Sequence, residues 1–175
     1  AELKKYSALL SKQSYRADSV IFTNKIYFQS PLLGTLEEKA VPDATAENAT
    51  YPRFESYSTR FEISNLAEGK VDFAGGFSLR GSKFIGSGSS TSDAFLIFKR
   101  DKKALVKAAS KNFIFRQDRI TSEDASITMY FDKDSVYHPS IKVKFDIDNK
   151  LLILIRTLEG ISKTPYFNTF HKVDM

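Results

Sequence analysis

Cysteine and tryptophan are absent from this chain of 175 residues, histidine occurs twice and proline five times. Without cysteine there is no disulfide, no thiolate zinc site and no cysteine nucleophile. The compartment stays open, because a domain of this size needs no disulfide staple. His138 and His171 are the only imidazoles, and no HExxH, GxSxG or P-loop pattern is present. No apolar run approaches the roughly 20 residues that a membrane-spanning helix requires. No cofactor motif is present, and no cofactor is expected.

What is present points to a folded, sheet-rich object. Hydrophobic residues make up 42% and charged residues 27%, a balance that is neither disordered nor membrane-embedded. The length suits one domain, 1–175, with a core of its own. Residues 1–52 read as a helix, short strands and a long loop, and 53–175 as the main sheet region. Fifteen Phe and eight Tyr beside β-branched runs favour strands. A formal net charge of +5 permits an anionic partner without naming one. The chain opens on Ala with no charged-then-apolar leader, so it is expected to be processed or cut from a longer protein.

The clearest stretch is 127–156. Ile141, Val143, Phe145 and Ile147 alternate with Lys142, Lys144, Asp146 and Asp148, the period of a strand with one buried face. Asp148-Asn149-Lys150 has turn chemistry, and Leu151 to Ile155 is continuously apolar, so a hairpin is expected. A second hairpin is expected over 94–108, turning at Arg100-Asp101-Lys102. Leu3, Tyr6, Leu9 and Leu10 share a helical stripe, which predicts a short amphipathic N-terminal helix. Val20 to Thr23 and Lys25 to Phe28 read as short strands, residues 32–39 as one or two helical turns, and 40–51 as a loop. That loop carries the sequon Asn48-Ala49-Thr50. The glycines from Gly81 to Gly88 lack a Gly-Lys-Ser/Thr ending and read as structural turns rather than a phosphate cradle. Tyr166, Phe167 and Phe170 are expected to pack on the sheet. The expected fold is mainly β, an antiparallel sandwich or jelly-roll-like arrangement with the short N-terminal helix; a β-solenoid segment is the alternative.

Three groups of residues carry possible chemistry. Asp132 with Asp134, and Asp146 with Asp148, place carboxylates at i, i+2 on one strand face, a pattern suited to Ca²⁺ and equally to a solvated edge. Asp134, His138 and His171 form a candidate polar corner. A histidine there either pairs with Asp134 for catalysis or bonds a backbone carbonyl at a bend, and the structural role is favoured because Pro139 constrains His138. The strongest charge signal runs from Lys99 to Arg119. Lys99, Arg100, Lys102, Lys103, Lys107, Lys111, Arg116 and Arg119 stand against Asp101 and Asp118. With Lys142 and Lys144 on the same wet face, they would form a cationic surface for acidic glycan or lipid headgroup. Lysine on exposed strands also blocks edge pairing. Nucleic acid is disfavoured, since no recognition helix, finger or RNP-like string accompanies the charge.

The strings DSVIFTNKIYF, PLLGTLEEK, GGFSLRGSKFIGSG and DSVYHPSIKVKFD resemble segments of large, β-rich, uncharacterised secreted or envelope proteins of the Bacteroidetes. The resemblance implies an extracytoplasmic setting and a parent much longer than 175 residues, whose other domains would be partners. It implies no catalytic residues. The function expected is a non-enzymatic binding or structural module. A scaffold segment without a ligand is one alternative; an enzyme acting on glycans or phosphate esters through Asp132, Asp134, His138 and His171 is the other.

Overall fold

The structure, a computed structural model, describes residues 5–24, 31–45, 47–156, 164–168 and 172–173. Alternating apolar and polar residues give the strands β1 (Lys5–Leu9), β2 (Ser14–Phe22), β3 (Leu32–Lys39), β4 (Arg53–Ser56), β5 (Phe61–Asn65), β6 (Val71–Arg80), β7 (Lys83–Ser87) and β8 (Ala94–Arg100). They continue as β9 (Lys103–Ser110), β10 (Asn112–Phe115), β11 (Arg119–Phe131), β12 (Asp134–Asp146), β13 (Leu151–Ile155), β14 (Tyr166–Phe167) and β15 (Lys172–Val173). Hydrogen bonds join all fifteen in one sheet. Every ladder among the described residues is antiparallel, which excludes the stacked parallel coils of a solenoid.

The sheet is a meander whose spatial order follows the chain. β4 and β5 lie end to end along one edge of β6, β7 and β8 along the other. β9 and β10 likewise share one edge of β11, opposite β12. The interruptions line up across the strands. Phe61, where β5 begins, pairs with Gly75; Gly76 pairs with Ser87, where β7 ends, and Ser87 with Asn112, where β10 begins. Next come bulges in β11 and β12, between Ser122 and Ala125 and between His138 and Ile141. Each bulge adds one residue and reverses the strand's parity, so Ile120 and Ser122 share the inner face with Ala125 and Ile127. Pro139 sits in its bulge, where a missing N–H costs no ladder bond.

This line of irregularities is a crease. Phe98 pairs with Val106, Val106 with Met129 and Met129 with Val136, nine residues from Phe145 along β12. In a flat sheet the two rings would lie about 30 Å apart along the strands and about 14 Å across them. Their centroids are 5.1 Å apart. The sheet therefore folds along the crease and closes its apolar face on itself. All fifteen strands stay in this one sheet, without the division into two separate sheets expected of a sandwich or jelly roll.

One cluster between the layers contains Val71, Phe73, Leu96, Phe113, Phe115, Ile120, Ile127, Ile141, Val143 and Phe145. A second, toward the N-terminal strands, contains Ala17, Val20, Leu32, Phe54 and Phe77, with the Phe22 ring stacked 4.8 Å from that of Phe54. Each fully buried Phe, Leu or Ile side chain contributes roughly 1.5–3 kcal/mol. Gly86 faces this interior; a Cβ there would lie 2.6 Å from the Phe73 and Phe115 rings.

Two helical expectations are overturned. Residues 5–9 form β1, paired to β2, and a 3-10 turn follows at Leu10–Lys12. Tyr6 and Leu9, the stripe residues whose side chains are described, are exposed, and so short a helix without a buried face is marginal. Residues 32–39 form β3, with Leu32 and Gly34 inward between β2 and β4. Val20 to Phe22 lie in β2, whereas Lys25 to Phe28 lie outside the described residues.

Candidate functional site

The carboxylate pairs are not assembled into a metal site. Asp132 and Asp134 flank the β11–β12 turn, and Asp146 and Asp148 the β12–β13 turn, at opposite ends of β12. Asp134 accepts from its neighbour Ser135 N and from Asn168 Nδ2. Asp146 accepts from Asn149 N and Asn149 Nδ2, and these donors hold its carboxyl below the ordinary range. Among the described residues no three acids or histidines gather as metal ligands.

His138 is fully buried on the crease, its ring centroid 4.7 Å from that of Tyr166 with the planes tilted 57°. Its Nδ1 accepts from Ser140 N, so the ring proton sits on Nε2, which donates to Thr164 O at 2.7 Å. Both nitrogens are thus engaged with backbone. Asp134 lies four residues away along the strand, roughly 13 Å, and does not touch it. Ser110 and Ser122 complete the buried polar groups of the crease, their hydroxyls 2.9 Å apart and both against Asp124 O. Tyr166 packs into the core and Phe167 against Tyr137. His171 and Phe170 lie outside the described residues. Asn48 of the sequon bonds Thr45 N within its loop.

The basic run does not form one face. Lys102 and Lys103 sit at the β8–β9 turn, and Arg116 and Arg119 at the β10–β11 turn. Lys107 covers the Phe95 ring at 4.0 Å on the outside of one layer. Lys144 lies on the outside of the other layer, in the cross-strand row of Ile114 and Thr121. Lys142 pairs with Glu123 and Lys111 with Asp93. Folding at the crease turns the two outer faces away from each other, which alternation along single strands does not reveal.

Lys99 and Arg100 belong to a different arrangement. Where the free ends of the folded sheet meet, they leave a cavity of about 280 Å³, the mouth. Its floor is apolar: Val71, Phe98, Val106 and Phe145, with Leu105 and Leu152 at the sides. Its rim carries Lys70, Lys99, Arg100 and Lys150. The tight turn Leu66–Gly69, left-handed at Ala67 and Glu68, brings Glu68 and Lys70 to this rim. Lys99 N donates to Lys70 O, and Lys99 Nζ lies 2.8 Å from Asp72. Lys150 Nζ donates to Glu68 Oε2 across the opening, joining the β12–β13 turn to the β5–β6 turn. This bond and the Lys150 charge, with Lys70 adding to the pull, hold the Glu68 carboxyl below its ordinary value of 4.5. Four cations thus face two carboxylates, and neither Lys70 nor Arg100 is within salt-bridge distance of an acid among the described residues. Lys70 and Lys150 fall outside the basic run, and no sequence signal joined them to it.

Compared with family models, curated proteins and solved structures, the chain matches none.

Proposed function

We propose that this chain is a non-enzymatic binding module of a larger extracytoplasmic bacterial protein. In this reading the mouth takes the acidic headgroup and first methylenes of an amphiphilic anion such as an envelope lipid. The supporting observation is that an apolar floor and a cationic rim meet in one cavity of about 280 Å³. Apolar area favours methylenes by about 25 cal/mol per Å² buried. Lys70 and Arg100 add attraction for an anion that a neutral headgroup would not feel. The size is near the lower end of ligand pockets, about 300 Å³ and upward, and so suits a headgroup and a short stretch of chain. An extended acidic glycan fits less well, because the basic residues of 99–119 are divided between two outer faces. The extracytoplasmic setting rests on the four resembling strings alone.

The probes are octanesulfonate and the uncharged octyl glucoside, which share an alkyl chain. Titration calorimetry is expected to show binding of the sulfonate that weakens between about 0.05 and 0.5 M salt, and much weaker binding of the glucoside. Arg100→Glu is expected to lower sulfonate affinity about tenfold, or about 1.4 kcal/mol. Equal binding of both amphiphiles, or an unchanged Arg100→Glu variant, overturns the reading.

A further inference from the structure

A larger cavity than the mouth lies elsewhere, on the outside of the layer built from β4, β6, β7 and β10. It is an open groove of about 660 Å³. Phe77, Leu79, Phe84, Phe113 and Phe115 point inward there, so the alternating residues Ser78, Ile85, Ser87, Asn112 and Ile114 face the groove. Register arranges them as two cross-strand rows, Gly76–Ser87–Asn112 and Ser78–Ile85–Ile114. The walls come from the crease: residues 56–59, where β4 gives way to β5, and residues 88–89, where β7 ends. Gly76 keeps the floor low. A Cβ at that position would lie 2.9 Å from Ser87 Oγ and 3.3 Å from Thr59 O.

The chemistry of this lining is narrow. Ser56, Ser58, Thr59, Ser78, Ser87 and Ser89 contribute hydroxyls, and Asn112 an amide. The side chains of Thr59, Ser78, Ser87 and Asn112 bond no other described residue. Each both donates and accepts, as the hydroxyls of a sugar do. Ile85 and Ile114 lie side by side and offer an apolar platform of a size suited to the C–H face of a pyranose. The charged residues described in the lining, Arg80 and Glu55, lie 3.9 Å apart and offset each other, and Lys111, paired with Asp93, donates to Ser89 O at one wall. An anion finds no uncompensated cation in the lining itself, Lys144 standing two strands beyond Ile114 in the same row, and a purely apolar ligand would desolvate seven polar side chains. A peptide strand finds little free edge on the floor, because β7 is flanked by β6 and β10, and β6 and β10 are paired on their far sides at 78–80 and 114–115.

We propose that this groove is a binding site for a neutral saccharide chain, separate from the mouth and of different ligand class. The test is an amide chemical-shift titration of the whole chain with cellohexaose, xylohexaose and chitohexaose, each to about 10 mM, a range that detects millimolar affinity. At least one sugar is expected to shift Ser78, Ile85, Ser87 and Asn112 together, with affinity unchanged between about 0.05 and 0.5 M salt. Asn112→Leu and Ser78→Leu, outward-facing changes whose folding the same spectra report, are each expected to weaken binding about tenfold. The absence of groove shifts with all three sugars overturns the proposal, as do shifts centred on the mouth or a salt-dependent affinity. Because the mouth is tested with an anion and the groove with neutral sugars, either assignment can fail without the other.

Discussion

At the scale of single residues, His138 shows how a titratable group becomes a structural one. Its bulged strand leaves Ser140 N without a ladder partner, and the returning tail brings Thr164 O against it. The ring satisfies both, and burial leaves no room for a substrate. His138→Leu keeps the volume but strands one buried donor and one acceptor. It is expected to destabilise the fold by about 2–4 kcal/mol in urea titration and to speed exchange of the amides at 166–167, with octanesulfonate binding unchanged. A loss below about 0.5 kcal/mol would remove the bracing role. Lys102 illustrates strain of another kind. Asp101 and Lys102 form a two-residue hairpin turn with φ of 51° and 65°, the left-handed pair that favours glycine at the second position. Lys102→Gly is expected to stabilise by about 0.5–1 kcal/mol and raise the melting temperature, despite deleting a charge from the basic run. A lowered melting temperature would contradict this account.

At the scale of elements, the two ends of the meander differ. β13 is LLILI, without charge or proline, and among the described residues it pairs with β12 alone. Leu151 and Ile155 are 52% and 40% exposed, leaving a bare apolar edge of the kind that invites intermolecular pairing. Ile155→Lys is expected to reduce concentration-dependent light scattering while changing folding stability by less than about 0.5 kcal/mol. Unaltered scattering would clear this edge of the charge. The same strands show what the sequence made legible. The hairpins around 94–108 and 141–155 stood out because polar turns, Arg100-Asp101-Lys102 and Asp148-Asn149-Lys150, separate apolar runs, and in β12 Lys142, Lys144 and Asp146 alternate with buried residues. β3 did not, because Leu32, Leu36 and the Glu pair at 37–38 fit a helical stripe as well as a strand, and only pairing with β2 and β4 decides. The crease was hidden for a related reason. Gly75-Gly76 and His138-Pro139 lie far apart in the chain, and they fall on one line only when ladder register aligns the strands between them.

At the scale of the whole molecule, the fold and its candidate site are coupled through acid titration, in opposite directions. Lys99 and Arg100 could be read from the basic run, but Lys70 and Lys150 come from turns far apart in the chain and meet only because the sheet closes. Glu68 and Asp146 both have carboxyls held below their ordinary values of 4.5 and 3.8, and both lie in the turns at the free ends of the sheet. A carboxyl with a depressed folded-state value adds stability above the unfolded value and loses it as pH falls through the folded one. Thermal stability is therefore expected to decline as pH drops below about 4.5, and Lys150→Ala should remove the part of that decline that belongs to Glu68. The mouth responds the other way. Protonating Glu68 removes one of two carboxylates facing four cations, so attraction for an anion grows as the fold weakens. Octanesulfonate, anionic throughout, is expected to bind more tightly at about pH 3, below the ordinary carboxylate range, than at about pH 6, and Glu68→Gln should bind tightly at both with a smaller change. Calorimetry at the two pH values decides: an affinity that falls with acid, or rises equally in Glu68→Gln, would break the link between the clasp across the opening and the charge of the site.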